Sequence, residues 1–184
     1  MNFTANIQST DNSTEARSFH IERLYNFGSA TRNPDTAVAH QQEVAKSGIY
    51  IALDVPAPRI YPIAPHALSS ADQIGVQCEQ TSGEVEIVMI VSDQLYVGAG
   101  SDHTDRAIET VSILASKQAC ANHIAPTVWP YHEIRDHWDD CVLRSWVDDK
   151  LYQEVGVSAF LEPEAMIALL RERVSGVPPQ DFVV

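Results

Sequence analysis

Cysteine, glycine and basic residues are scarce in this sequence. Among its 184 residues there are 3 cysteines, Cys78, Cys120 and Cys141, an odd number spread along the chain. That pattern predicts no disulfide framework and favours a reducing compartment. With 8 glycines and 45% hydrophobic residues, the composition excludes collagen-like, low-complexity and wholly disordered chains.

Positive charge is the second shortage. The chain has 12 Lys and Arg against 25 Asp and Glu, which gives a formal net charge of −13. A field of that sign repels phosphate backbones and anionic lipids. We therefore expect neither nucleic acid nor a membrane surface as a partner.

Long hydrophobic runs are also missing. The longest strongly apolar run, Ile87–Val91, is far too short to cross a bilayer. The first residues, MNFTANIQSTDNSTEARS, are polar and lack the basic and apolar regions of a signal peptide. Together these features predict a cytoplasmic protein.

The sequence divides into a polar lead and one domain. Residues 1–17 are rich in Asn, Ser and Thr, a composition that favours disorder. No internal repeat or Gly/Ser linker divides the rest, and 184 residues is an ordinary length for one domain. We therefore predict a disordered lead over 1–17 and a single domain over 18–184.

Strand patterns dominate the middle of the chain, and helix patterns surround them. The predicted strands are 73–80, 84–91 and 95–98, followed by a hairpin of 141–147 and 151–158. The predicted helices are 35–46, 107–118, 132–139 and 163–174. Because strands and helices do not alternate strictly, the fold class is α+β, mainly β.

Two carboxylates stand next to each other on one predicted strand. Residues i and i+2 of a strand point to the same face, so Glu84 and Glu86 lie side by side. The apolar residues 87–91 that follow predict burial, where like charges are costly unless a base, water or a cation neutralises them. The alternative is that the pair lies in solvent at the open end of a hairpin.

A second acidic segment, GAGSDHTDR over 98–106, leaves a strand and enters a helix. It would place Asp102 at the exit of the strand. Several carboxylate oxygens suit Mg²⁺ or Mn²⁺ better than Zn²⁺. The alternative is a helix cap formed by Ser101 and Asp102, with Arg106 in a surface ion pair.

His40 and Glu43 lie three positions apart on the first predicted helix, so their side chains share a face. A carboxylate that holds an imidazole in one tautomer creates a general base. The alternative is an ordinary exposed pair, which is common on helix surfaces.

The order of these motifs resembles the fumarylacetoacetate hydrolase superfamily, and more closely a small, poorly characterised bacterial branch of it. The matching segments are His40 and Glu43, EVEI at 84–87, GSDHTDR at 100–106 and SKQ at 116–118. The resemblance covers roughly residues 20 to 184. It implies a mainly β fold of curled mixed sheets with peripheral helices, and a homodimer.

The resemblance also implies a role for each matching residue. Three carboxylates would hold Mg²⁺ or Mn²⁺: Glu84, Glu86 and Asp102. Lys117 would stabilise negative charge on the substrate, and His40 with Glu43 would activate water. Ser101 and Arg106 would support the metal loop.

The implied activity is metal-dependent hydrolysis of a carbon–carbon bond in a small anionic oxo-acid or 1,3-dicarbonyl, such as an acylpyruvate. Decarboxylation or tautomerisation of a 2-oxo-acid could use the same residues. Relatives continue beyond the position of Val184 with strands that complete the sheet, so we expect a chain shortened at its C-terminus. A non-catalytic relative with a vestigial metal site is the alternative from another class.

Overall fold

The computed structural model describes residues 1–46, 48 and 56–184, with His40 and Val44 described by their backbone alone. The strands in this part of the chain are β1 (Asn2–Gln8), β2 (Thr14–His20), β3 (Arg23–Gly28), β4 (Arg59–Ile63), β5 (Leu68–Ser69), β6 (Thr81–Ser82), β7 (Val85–Val91), β8 (Leu95–Asp102), β9 (Thr104–Asp105), β10 (Asn122–Pro130), β11 (Val142–Val147), β12 (Lys150–Gly156) and β13 (Phe182–Val183). The helices are α1 (Pro34–Lys46), α2 (Arg106–Glu109), α3 (Ile113–Gln118), α4 (Tyr131–Ile134) and α5 (Pro163–Arg173).

A curled mixed sheet organises the described residues. Its strands follow the order β2-β1-β10-β8-β7-β13-β3-β4, and the short β5 pairs with β10. The pairs β1/β10, β5/β10 and β13/β3 are parallel, whereas β7/β8 and β8/β10 are antiparallel. The predicted α+β, mainly β fold is therefore confirmed.

Each face of this sheet packs against its own hydrophobic core, because side chains along a strand alternate between faces. Val88 and Ile90 of β7 belong to one core, while Ile87 and Met89 contact the other. Ile90 is completely buried, and burial of a side chain of that size contributes about 2 kcal/mol. The alternation fixes which residues of β7 face each side.

The sheet is interrupted between β7 and β3. The only strand between them in the described chain is β13, which has two residues. It pairs with Ile90 and Val91 of β7 and with Arg23 and Leu24 of β3. The first half of β7 therefore has no strand partner on that side, and the cavity described below lies in this gap.

The prediction of a disordered lead over 1–17 is wrong. β1 and β2 form an antiparallel hairpin, and β1 adds in parallel to β10. Phe3 and Ala5 are buried although their neighbours are exposed. The guanidinium of Arg17 also lies 5.4 Å from the ring centroids of Phe19 and Tyr96. A few apolar side chains in strand alternation thus outweigh the polar composition.

Several other predicted elements are confirmed. α1, β7, β8, the β11–β12 hairpin and α5 all fall close to their predicted positions. The strand predicted over 73–80 is wrong. Residues 73–80 form no strand, and the short β6 follows them at Thr81–Ser82. The helix predicted over 107–118 is two helices, because the Ser112 hydroxyl accepts from the Ala115 N–H at 3.2 Å and starts a new one. None of the described helices is long and apolar enough to cross a membrane.

Candidate functional site

A cavity of about 540 Å³ opens at the gap between β7 and β3. Strands β3, β7, β8 and β10 and helix α3 supply seven of its polar lining residues: Asn26, Glu86, Ser101, Asp102, Lys117, Asn122 and His123. The predicted site residues among its lining are Glu84, Glu86, Ser101, Asp102, Arg106 and Lys117. The structure therefore brings together six residues that lie up to 33 positions apart (117 − 84) in the sequence.

Arg106 binds the first of the carboxylates. Its Nη2 donates to Glu84 Oε1 at 2.6 Å, its Nη1 to Glu109 Oε2 at 2.9 Å and its Nε to Ser82 Oγ at 2.7 Å. These three contacts fix the guanidinium at the start of α2. Arg106 therefore holds Glu84 next to the start of α2, and its predicted support of a metal loop stays a prediction.

Glu86 lies on β7, two residues after Glu84 and opposite Gly100 of β8. Burial raises the pKa of its carboxyl to about 8, and the charges of Asp102 and Glu84 add to the effect. Lys117 opposes the rise but does not cancel it. With a pKa of about 8, the Glu86 carboxyl keeps its proton at neutral pH unless further positive charge is brought close to it.

Asp102 and Lys117 form a buried ion pair. Their exposed fractions are 8% and 6%, and Lys117 Nζ donates to Asp102 Oδ2. Burial raises the pKa of Asp102 against the attraction of Lys117. For Lys117, burial favours the neutral amine, but Asp102 and the nearby glutamates outweigh it and raise the pKa. Lys117 is therefore a cation at neutral pH.

The close approach of β8 to β10 positions Asp102. A side chain on Gly100 would place its Cβ 2.4 Å from the His123 carbonyl oxygen, so only glycine fits at this point. Asp102 then pairs with Asn122 at the start of β10. The glycine that precedes the acidic motif thus has a packing function.

Two asparagines in the site were not identified from the sequence. Asn26 of β3 donates through Nδ2 to Asn122 Oδ1 at 2.6 Å, and Asn122 Nδ2 donates to the Lys117 carbonyl at 3.4 Å. They join β3, β10 and α3 around the Lys117–Asp102 pair. Asn26 is an isolated polar residue at a position facing the apolar core, and that is the signal that could have found it.

Glu43 of the predicted His40–Glu43 pair does not belong to the described lining of the cavity. Both residues fall on α1 as predicted, but the side chain of His40 lies outside the described residues. Glu43 is exposed, and it is absent from the described lining. From α1, Thr36 contributes to that lining.

The donor set at the base of the cavity fits a hard divalent cation. Its side-chain ligands would be carboxylate oxygens, which suit Mg²⁺ and Mn²⁺. Among the described residues none forms a hydrogen bond with the buried Oδ1 of Asp102, and burial is the main cause of the raised pKa of Glu86. As their side chains stand, no three His, Cys, Asp or Glu residues of the described chain form a metal-binding group.

The sequence matches the family described as "Protein of unknown function (DUF2848)" over residues 27–184. No curated protein matches it. Among solved structures, it is similar to 2-keto-3-deoxyarabinonate dehydratase, with 14% identity and a TM-score of 0.61. That alignment covers 95% of this chain and 65% of the dehydratase, so the chain spans slightly less than two thirds of its length.

A second similar structure is 5-carboxymethyl-2-hydroxymuconate delta-isomerase from Mycobacterium smegmatis. The identity is 12% and the TM-score 0.62, with 100% of this chain and 85% of the isomerase covered. Both neighbours are fumarylacetoacetate hydrolase-like proteins. At these identities the similarity establishes the fold alone, and that fold is the one that the resemblance implied.

Proposed function

Since this chain belongs to the DUF2848 family, we propose from its own site that it is a divalent-metal-dependent hydrolase. Its substrate would be a small anionic oxo-acid or 1,3-dicarbonyl of the acylpyruvate type, and the reaction would cleave a carbon–carbon bond. The observation that carries the proposal is the convergence of Glu84, Glu86 and Asp102 with Lys117 in one cavity.

The three carboxylates would hold Mg²⁺ or Mn²⁺. Bound there, the cation would act as a Lewis acid on two oxygens of the substrate. The buried Oδ1 of Asp102 supports this assignment, because it accepts no hydrogen bond from the described residues and a cation would supply its partner. Arg106 donates a hydrogen bond to Glu84 and so fixes the position of this carboxylate.

Lys117 would stabilise the charge that develops on the substrate. Water adds to one carbonyl, the bond to the adjacent carbon breaks, and its electron pair passes to the neighbouring carbonyl as an enolate. Lys117 is buried and positively charged, and a cation in a low-dielectric site stabilises an enolate strongly. A proton then returns to the enolate carbon, which gives a carboxylic acid and a 2-oxo-acid.

A specific observation favours a second candidate reaction. Activation of water was predicted for His40 and Glu43, but Glu43 is exposed on α1 and outside the described lining. A reaction that forms the enolate without attack by water needs no such pair. Tautomerisation or decarboxylation of a 2-oxo-acid at the same site is therefore the alternative. The two structural neighbours are named as a dehydratase and an isomerase, which is compatible with it.

Turnover of acylpyruvates tests the proposal. Loss of the enol absorbance of a 2,4-dioxo acid, in the presence of Mg²⁺ or Mn²⁺, reports cleavage, and oxaloacetate tests decarboxylation in parallel. We expect Lys117→Met to lower turnover by about 100-fold, and we expect Lys150→Met, at an exposed position of β12, to have no effect. Full activity of Lys117→Met would remove Lys117 from the mechanism.

We further propose a cytoplasmic homodimer. Apolar side chains that remain exposed on the β11–β12 hairpin support a dimer contact, among them Trp146 (58%), Leu151 (54%) and Tyr152 (57%). Light scattering of the purified protein measures its mass directly. A mass of one chain, 20.3 kDa, would contradict the dimer.

A further inference from the structure

Two of the three cysteines lie beside one buried carboxylate. Cys78 Sγ donates to Asp105 Oδ2 at 3.5 Å. Gln77 Nε2 donates to the same oxygen at 2.6 Å and to Cys120 Sγ at 3.7 Å. Asp105 is only 3% exposed, and none of these four residues belongs to the described lining of the cavity. The fold therefore brings Cys78 and Cys120 into one polar cluster, although they lie far apart in the sequence.

The two thiols of this cluster differ in their access to solvent. Cys78 is exposed and Cys120 is buried. Burial raises the pKa of the Cys120 thiol, and the charges of Asp105 and Cys78 add to the effect, so the two sulfurs lie within electrostatic range of each other. An oxidant that arrives from solvent therefore meets Cys78 first, while Cys120 stays a protected thiol close to it.

The segment that carries Cys78 is free to adjust. Residues 70–80 form no helix or strand, and most of them are exposed. Cys120 is buried and comes two residues after the end of α3 at Gln118. A disulfide needs a specific separation of its two cysteines, and an exposed irregular segment rearranges at a lower cost than a packed helix end. Cys78 is thus the partner that moves.

We propose that Cys78 and Cys120 are a modification site, at which hydrogen peroxide forms a reversible disulfide within the chain. The Cys78 thiol first gives its sulfur to one peroxide oxygen, the O–O bond breaks, and a sulfenic acid and one water result. The Cys120 thiol then attacks that sulfur, the S–S bond forms, and the sulfenic oxygen leaves as a second water. The two thiols lose two electrons and two protons, and the peroxide takes up both.

Asp105 is the reason why this disulfide should be easy to reduce. Its Oδ1 accepts from the Ile108 N–H at 2.9 Å and caps α2, while its Oδ2 accepts from Gln77 and Cys78. The disulfide removes the S–H of Cys78 from this buried carboxylate. Loss of a donor to a buried charge opposes oxidation, and disulfides that form against such a cost are the labile, reversible ones.

Peptide mapping after oxidation tests the proposal. The full chain is treated with a small excess of hydrogen peroxide, its remaining thiols are alkylated, and its peptides are identified by mass spectrometry. We expect a linked pair of peptides that contains Cys78 and Cys120, with loss of two of the three free thiols. Millimolar reduced glutathione should then restore all three.

Single cysteine variants provide the controls. Cys141 is half-buried and donates to a different acceptor, the His137 carbonyl, at 3.6 Å, so Cys141→Ser should form the disulfide like the unaltered protein. Cys78→Ser, at an exposed position, should form no linked pair. Cys120→Ala should leave Cys78 as a sulfenic acid, which dimedone traps.

Three results would overturn the proposal. The first is oxidation of Cys78 in the unaltered protein to a sulfinic acid while Cys120 stays a thiol. The second is a disulfide that joins two chains or includes Cys141. The third is a Cys78–Cys120 disulfide that millimolar glutathione leaves intact, because that would be a structural bridge and no reversible modification.

Discussion

Glu86 should make the metal-free protein less stable as the pH rises. Its folded-state pKa, about 8, lies above the ordinary value of 4.5. Between these values the folded protein keeps a proton that the unfolded chain releases. The free energy of unfolding therefore contains a contribution from Glu86 that is fully present below pH 4.5 and is lost as pH rises through 8.

The magnitude follows from the size of the shift. A displacement from 4.5 to about 8 corresponds to about 5 kcal/mol over the full range, at about 1.4 kcal/mol per pH unit. Glu86 keeps partial exposure in the cavity, and solvent there weakens the penalty for its charge. Over the window from about pH 5.5 to about pH 8.5 we therefore expect a loss of roughly 2 kcal/mol.

Urea unfolding in the presence of EDTA measures this loss. Glu86→Gln removes the titrating group at nearly constant volume, so the stability difference between the unaltered protein and this variant isolates its contribution. We expect the variant to gain roughly 2 kcal/mol relative to the unaltered protein over that window. Glu172→Gln, exposed on α5, should show no such trend. A Glu86→Gln difference that stays constant with pH would refute the reasoning.

Three further substitutions follow from contacts in the structure. Lys117→Met leaves the buried carboxylate of Asp102 without its ion-pair partner. In urea unfolding of the metal-free protein, we expect the free energy of unfolding to fall by about 3 kcal/mol. A stability equal to that of Lys150→Met would contradict this. Arg17→Met removes the ion pair and ring contacts that hold the N-terminal hairpin, so it should cost about 1 kcal/mol and speed amide exchange in β1 and β2; unchanged exchange there would count against the contact. Gln153→Leu removes the side chain that accepts a hydrogen bond from the N–H of Val85, the residue between Glu84 and Glu86. We expect this variant to bind Mn²⁺ more weakly in calorimetry. An unchanged affinity would show that the β11–β12 hairpin does not position β7.

The parts predicted correctly from sequence are those where local pattern and packing agree. Glu84 and Glu86 precede a run of apolar residues, and strand alternation alone places them on one face. α5 begins at Pro163, a favoured first helical position, and its buried residues include Met166 and Leu170. In such segments the local preference and the final environment point to the same structure.

β10 was not predicted because its sequence contains prolines. Pro126 cannot donate to a strand ladder, and it argues against a central strand. The structure accommodates it where the register between β10 and β8 shifts, between Ile124 and Val128. A bulge of this kind depends on both neighbouring strands, so no local pattern announces it.

The site was predicted in part for a similar reason. The carboxylates and Lys117 belong to recognisable motifs, whereas Asn26 and Asn122 act through a contact between residues 96 positions apart. The order of the strands around the cavity, with β13 between β7 and β3, appears only when the whole sheet is assembled. Contacts of that range are set by topology, and a single sequence carries no local signal for them.

Calorimetric titration of Mg²⁺ and Mn²⁺ into metal-stripped protein, with and without oxalate, tests the central claim most directly. Oxalate mimics the enolate of a 2-oxo-acid and needs a cation with open positions. The account predicts that metal binds, that oxalate tightens the binding, and that Glu86→Gln abolishes it while the protein stays folded. No metal binding in either condition, or unchanged affinity in Glu86→Gln, would contradict the assignment of Glu84, Glu86 and Asp102 as one metal site.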